Sequence, residues 1–102
     1  MPSVQEALSR LDSALRRARL DKTTLVKFVH GYGSRGEGGD IRVAVQSELM
    51  QKLQRKELQQ VIFGEDWRIS YEASWALLKK WPQLKQDSDL GRKNRGITIV
   101  VL

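Results

Sequence analysis

The chain has 102 residues, of which 40% are hydrophobic, and this fits a single domain over residues 1–102 with its own core. Lysine and arginine outnumber aspartate and glutamate by 18 to 12, and the formal charge of +6 favours partners that carry phosphate or other acidic groups. The lack of cysteine excludes disulfides and thiolate metal sites, and the lack of a signal-peptide pattern or a membrane-spanning run predicts a cytoplasmic protein with no membrane partner.

The first part of the chain shows the pattern of a helix followed by a strand. Ser3 and Glu6 form a capping-box pattern, and apolar residues then recur at helical spacing, which predicts an amphipathic helix over residues 3–20. Residues 24–30 are β-branched and apolar almost throughout, as expected of a strand covered on both faces. Four arginines fall largely off the helix's apolar stripe and are interpreted as a solvated face: Arg10, Arg16, Arg17 and Arg19.

A second helix is predicted over residues 40–55, with Asp40 as its cap, and a second strand over residues 58–63. Residues 71–81 have the pattern of a third helix, which Pro82 ends because proline pushes the preceding residue out of helical geometry. Apolar side chains at helical spacing on this helix are predicted to face the core: Tyr71, Trp75, Leu78 and Trp81.

A polar loop over residues 85–96 leads into a last strand at residues 97–102. Each strand is thus separated from the next by a helix. This order predicts an α/β fold, a two-layer sandwich with a mixed sheet that contains at least one parallel pair.

The stretch FVHGYGSRGEGGDIR, residues 28–42, places five glycines within nine residues and contains the only histidine, His30. A strand that leads into a glycine-rich turn and a helix can hold an anion, because backbone N–H groups converge and the helix start adds partial positive charge. A GxGxxG match is weak evidence in so short a chain, and Glu37 replaces the lysine that a P-loop requires. The alternative is that the glycines only serve a tight connection. Backbone angles closed to other residues are expected at Gly31, Gly33 and at least one of Gly36, Gly38 and Gly39.

These motifs resemble the Smr (small MutS-related) domain family. Its marks are an apolar strand ending in HGxG, a glycine loop leading to an arginine on the next helix, and a terminal strand that opens with glycine. His30, Gly31 and Gly33 match HGxG, Arg42 matches the arginine, and residues 96–102 match the terminal strand. The resemblance covers nearly the whole chain and implies a fold similar to the C-terminal domain of bacterial translation initiation factor three.

Two departures indicate a divergent, stand-alone member of that family. Typical members begin with a strand that carries an LDLHG motif, and this chain begins at the helix that follows it, so the motif's aspartate and histidine have no counterpart. The glycine loop and residues 65–95 are also longer than in typical members. The resemblance therefore supports binding more strongly than catalysis.

The resemblance implies work on nucleic acid, either DNA or RNA, with endonuclease activity in some members. The phosphate backbone would be held by the glycine loop and by neighbouring cations. The residues predicted to bind nucleic acid are His30, Gly31, Gly33, Ser34, Arg35, Gly36, Arg42, Arg92, Lys93 and Arg95.

His30 is the candidate catalytic residue, since an imidazole beside a phosphate could contact it or move a proton near neutral pH. The alternative is a histidine that only fixes the loop through a hydrogen bond. No residue set has the spacing of a zinc or calcium site, so no cofactor or structural metal is predicted, and a divalent metal ion enters only if the chain cleaves nucleic acid. Three function classes stay open: a nucleic-acid-binding domain, a phosphodiesterase using His30, and a protein-interaction module whose basic surface serves only solubility.

The missing LDLHG strand would leave unpaired backbone groups on its neighbour, and exposed edges attract other chains. We expect either a homodimer joined through this edge or a cover provided by residues 65–95, whose tryptophans Trp67, Trp75 and Trp81 offer apolar surface. Cover is the preferred expectation. A third interpretation is that the chain is a fragment. The expected state is a monomer or a homodimer.

Overall fold

The computed structural model describes residues 3–31 and 38–102. Within this part of the chain, helices and strands follow one another in the predicted order, with ends that differ from the prediction by at most two residues. The elements are α1 (Val4–Leu20), β1 (Leu25–Val29), α2 (Gly38–Gln54), β2 (Gln60–Phe63), α3 (Glu72–Lys80) and β3 (Ile97–Val101), with short 3-10 helices at Gly64–Asp66 and Pro82–Gln86.

The predicted N-terminal caps of α1 and α2 have different outcomes in the structure. The predicted capping of α1 is confirmed, because the Ser3 hydroxyl accepts a hydrogen bond of 3.1 Å from the Glu6 backbone N–H. The prediction that Asp40 caps α2 is wrong, since α2 already begins at Gly38. Asp40 lies within the first turn, where its negative charge still faces the positive end of the helix dipole.

The described strands form one sheet in the order β1-β3-β2, and both pairs are antiparallel. Val100 of β3 is paired with Val26 of β1 on one side and with Val61 of β2 on the other. The α/β class is confirmed, but the expected parallel pair is wrong for the described strands. β1 and β2 do run in the same direction, yet β3 inserts between them, and a helix-strand alternation alone does not reveal which strands become neighbours.

Helices pack against both faces of the sheet, so the described residues form three layers rather than the expected two. β3 is buried along its whole length and divides its side chains between the faces. Val100 packs with α1 and α2, whereas Ile97 and Ile99 pack with α3 and with the fully buried Trp67. β1 is an edge strand that is only half-buried, and its Val29 is 76% exposed, which corrects the prediction of a strand covered on both faces.

The face of α3 that packs inward differs from the prediction. Leu77, Leu78 and Ser74 are buried, and the Ser74 hydroxyl donates a 2.7 Å hydrogen bond to the Asp66 carbonyl oxygen, which fixes the rotation of the helix. Leu78 was predicted correctly. Trp75 was not, because it lies 39% exposed.

Tyr71, just before α3, is likewise 37% exposed and was wrongly assigned to the core. Trp81 is half-buried against the α3 side of the core. The segment 65–95 therefore covers a face of the sheet and not an edge. Within the described residues, β1 and β2 each pair with β3 alone, and none of the helices is long and apolar enough to cross a membrane.

Candidate nucleic-acid interface

Three chain segments meet at one end of the sheet. Since β1 and β2 both run antiparallel to β3, the residues that follow β1 and β2 lie beside those that precede β3. The Gly96 carbonyl oxygen accepts hydrogen bonds from the backbone N–H groups of His30, at 3.0 Å, and Gly31, at 2.9 Å. The start of the glycine-rich segment is thereby bonded to the end of the basic loop at residues 92–95.

Glycine is required at Gly31 by its backbone angles. Its φ of +75° lies in the left-handed region, as predicted. Gly38 and Gly39 lie in the first turn of α2 and have helical backbone angles. Of the three glycines at which one further left-handed conformation was expected, only Gly36 is left. Gly36 lies outside the described residues, as do three other predicted binding residues: Gly33, Ser34 and Arg35.

Close backbone packing explains two further glycines. A Cβ atom on Gly64 would overlap the Asn94 carbonyl oxygen and lie 2.8 Å from that of Ile97. A Cβ atom on Gly96 would lie 3.2 Å from the Gly31 Cα atom. No role was predicted for Gly64, although a glycine directly after an apolar strand is a signal of close backbone approach.

The loop at residues 92–95, called the basic turn below, presents its cations to solvent. Arg92, Lys93 and Arg95 are all exposed. None of the three forms an ion pair with a carboxylate of the described residues. The Asn94 side-chain oxygen closes the turn by accepting a 2.8 Å hydrogen bond from the Gly96 N–H. The basic turn therefore carries three positive charges that no carboxylate of the described residues pairs with, and Gly96, directly after the turn, contacts Gly31.

A polar network ties the basic turn to β1. The Lys27 ammonium donates to Asp87 at 2.9 Å and to Asp89 at 2.5 Å, and the Asn94 amide donates to Asp89 at 2.9 Å. The hydrogen bonds from Lys27 and Asn94 lower the pKa of Asp89. Burial opposes the charge of Lys27, but the hydrogen bonds to Asp89 and Asp87 outweigh it and raise the pKa of Lys27.

Trp67 holds the other end of the same segment. Its indole N–H donates a 3.0 Å hydrogen bond to Asp87, and its backbone carbonyl oxygen accepts one of 2.8 Å from the Gly91 N–H. The ring itself is fully buried in the core on the α3 side of the sheet. The basic turn is therefore fixed at both ends to groups of the folded core.

His30 uses both of its ring nitrogens within the protein. Nδ1 lies 2.9 Å from the Gly31 carbonyl oxygen, and Nε2 lies 3.0 Å from the Thr98 hydroxyl. Because a carbonyl oxygen only accepts, Nδ1 donates to Gly31, and Nε2 shares a hydrogen bond with the Thr98 hydroxyl. Thr98 is fully buried, so its hydroxyl depends on such a partner. This geometry corresponds to the fixing role and leaves neither nitrogen free for a substrate.

Arg42 lies at the same end of the sheet but is already partnered. Its guanidinium is 3.5 Å from a Glu65 carboxylate oxygen and donates to Gln46 at 3.3 Å. The ion pair joins the start of α2 to the residues after β2 and offsets part of the positive charge. Arg42 therefore belongs to the site mainly as a link between elements.

Two arginines near this end were not predicted to bind. Arg10 of α1 lines a largely apolar cleft of about 220 Å³ together with His30, Phe28 and Ile41. Arg68 follows Trp67, donates a 3.0 Å hydrogen bond to the Glu65 carbonyl oxygen and lies 3.5 Å from an Asp66 carboxylate oxygen. Arg10 was assigned to the solvated face of α1 because helical spacing does not show which turn of a helix lies over a strand end.

Within residues 3–31 and 38–102, no group of three or more histidine, aspartate or glutamate side chains is arranged to hold a metal ion. The groups that the described site offers to an anion are the exposed cations of the basic turn. Such groups bind phosphate without base specificity.

The family model of the Smr domain matches residues 2–66. This stretch contains α1, β1, α2 and β2 and ends within the 3-10 helix after β2. The match is shorter than the resemblance described from the sequence motifs, because α3, the basic turn and β3 lie beyond it. Searches of curated proteins and of solved structures returned no significant match.

Proposed function

The chain belongs to the Smr domain family, whose members generally bind nucleic acid, and we propose that it binds DNA or RNA where Gly31 meets the basic turn. One observation carries the proposal. The Gly96 carbonyl oxygen accepts hydrogen bonds from the His30 and Gly31 N–H groups, and this joins the basic turn, with its three exposed cations, to the start of the glycine-rich segment. A phosphate backbone that reaches this end of the sheet meets positive charge that the described carboxylates do not neutralise.

In the proposed mode, the protein supplies a rigid platform and the nucleic acid adapts to it. The polar network around Lys27 and Asp89 fixes the basic turn, so less conformational freedom is lost when Arg92, Lys93 and Arg95 contact phosphates. Contacts of this kind position a nucleic acid and carry no sequence information. Binding should therefore depend steeply on salt and only weakly on base sequence.

The test compares two triple variants that lose the same charge. The first replaces Arg92, Lys93 and Arg95 with glutamine. The matched control replaces Arg16, Lys22 and Lys56, exposed cations that lie at the C-terminal halves or ends of α1 and α2. Binding to a short RNA and a short DNA is measured across a salt series. We expect the first variant to bind more weakly. The fall of log K with log salt should also become shallower, its slope being smaller in magnitude by about 2 to 3.

The control should retain most of the affinity, because its cations lie away from the strand ends that form the site. Equal weakening in both variants would show that net charge alone governs binding and that the basic turn is not the site. Binding by the wild-type protein that is insensitive to salt would favour the protein-interaction alternative.

For His30 we propose a positioning role in place of catalysis. We expect His30→Ala to lower the free energy of unfolding by about 1–3 kcal/mol, because the buried Thr98 hydroxyl loses its partner. Adding Thr98→Val should recover part of this loss, since the unpartnered hydroxyl is then removed. Urea unfolding of the wild-type protein, both single variants and the double variant measures the effect.

A cleavage assay with magnesium or manganese gives the second readout for His30. The assay is run at a temperature where both proteins are folded. Whatever rate of RNA or DNA cleavage the wild type shows, His30→Ala should show the same rate. A rate that vanishes in His30→Ala while nucleic-acid binding persists would make His30 a catalytic residue and the protein an endonuclease.

A further inference from the structure

An aromatic and basic surface lies at α3, outside the stretch that matches the family model. It consists of Arg68, Tyr71, Trp75 and Lys85 and is called the α3 surface below. Tyr71 and Trp75 are one helical turn apart, joined by a 2.9 Å hydrogen bond from the Trp75 N–H to the Tyr71 carbonyl oxygen. Neither ring belongs to the core cluster that the buried residues of α3 form with the sheet.

Each exposed ring has a cation beside it. The Arg68 guanidinium carbon lies 5.7 Å from the centre of the Tyr71 ring. The Lys85 ammonium lies 5.6 Å from the centre of the Trp75 ring. Proteins that bind single-stranded nucleic acid without sequence preference combine aromatic rings, which stack on bases, with cations that contact the phosphates.

The α3 surface continues from the basic turn. The hydrogen bond from the Gly91 N–H to the Trp67 carbonyl oxygen joins the start of that turn to the residue just before Arg68. A strand whose phosphates lie on Arg92 would therefore meet Arg68 and then Tyr71 next. Beside Tyr71, a groove of about 460 Å³ borders Gln60 of β2 and three residues of α3, Glu72, Ala73 and Ala76. This space is large enough for one nucleobase.

We propose that the α3 surface binds single-stranded nucleic acid by stacking bases on Trp75 and Tyr71, an inference that rests on the proposed function and extends it to a class of substrate. A duplex cannot use this surface in the same way, because its bases are already stacked on one another and present only their edges in the grooves. The phosphate contacts at the basic turn then serve both forms, whereas the α3 surface selects unpaired strands.

The experiment measures binding of an oligouridine, an oligothymidine and a duplex of equal length to four proteins. These are the wild type, Trp75→Ala, Trp75→Phe and the triple glutamine variant of the basic turn. We expect Trp75→Ala to weaken single-strand binding by about 5- to 150-fold and to leave duplex binding unchanged. Trp75→Phe keeps an aromatic face and should retain most of the affinity. The two oligonucleotides show whether RNA or DNA is preferred.

Thermal unfolding confirms that Trp75→Ala is folded, as its partial exposure predicts. The inference is overturned if Trp75→Ala binds single strands like the wild type, or if it weakens single-strand and duplex binding equally. In either case, the proposed function is still supported if the triple glutamine variant of the basic turn has lost binding. A wild-type protein that binds none of the three probes overturns both the inference and the proposed function.

Discussion

Replacing Gly64 with alanine is expected to remove a large part of the protein's stability. The new methyl group would overlap the Asn94 carbonyl oxygen and press on that of Ile97, and both are backbone atoms that no side-chain rotation can move away. Overpacking in a core costs about 1–3 kcal/mol where side chains can adjust, and more where they cannot. We therefore expect a loss of at least about 3 kcal/mol, measured as a lower urea midpoint, in a domain whose total is of the order of 5–15 kcal/mol.

Gly39→Ala is the matched control for Gly64→Ala. Gly39 lies in the first turn of α2, and a Cβ atom there meets nothing within 4 Å. The same chemical change should then stabilise the protein by about 0.4–1 kcal/mol, because alanine restricts the unfolded chain. If both variants lose similar stability, the close approach of residues 64 and 94 is not a feature of the folded protein.

Gly64→Ala also bears on binding. Asn94 closes the basic turn through its side chain, so a displaced Asn94 backbone would displace Arg95 as well. Any folded fraction of Gly64→Ala should bind nucleic acid more weakly than Gly39→Ala does. The packing of one glycine thus connects the fold to the proposed site.

The existence and order of the helices and strands were predictable because they depend on local patterns. The Ser3 cap, the apolar spacing of α1 and the stop at Pro82 all act within a few residues. Strand pairing was not predictable in this way. It depends on β3 entering between β1 and β2, which joins parts of the chain far apart in sequence.

The direction that α3 faces shows a second limit of sequence patterns. Tyr71 and Trp75 have the spacing of an apolar stripe, and a stripe on a helix usually packs inward. A buried hydrogen bond from Ser74 to the Asp66 carbonyl oxygen turns the helix so that a neighbouring stripe with Leu77 and Leu78 packs instead. A serine gives no signal of this role in the sequence, because serine is common on exposed helix faces.

The candidate site was predictable in part. Sequence motifs identified His30, Gly31 and the cations of the basic turn, and the fold brings these segments together. The fixing role of His30 was one of the two alternatives drawn from the sequence. Its partner Thr98, 68 residues away, was not predictable, and neither was the pairing of Arg42 with Glu65, 23 residues away. Asp87 and Asp89 of the polar loop illustrate the same point, because their pairing with Lys27 is visible only in the folded chain.

The second large effect is expected at Trp67. Trp67→Ala should lower the free energy of unfolding by about 3–5 kcal/mol, because a fully buried indole is replaced by a cavity. The variant also removes the hydrogen bond that the indole N–H donates to Asp87, which lies in the loop before the basic turn. Urea unfolding measures the loss, with an unchanged m value as the sign that the folded and unfolded states are otherwise the same.

Two further variants separate the contributions of Trp67. Trp75→Ala removes the same side chain from an exposed position and should cost less than about 1 kcal/mol, so a similar loss at both sites would contradict the buried position of Trp67. Trp67→Phe keeps most of the apolar ring but removes the indole donor to Asp87. We expect it to retain more stability than Trp67→Ala and to bind nucleic acid more weakly than the wild type, because Asp87 then restrains the basic turn less firmly. Wild-type affinity in Trp67→Phe would mean that the backbone bond from Gly91 to Trp67, together with the Lys27 network, is sufficient to hold the turn.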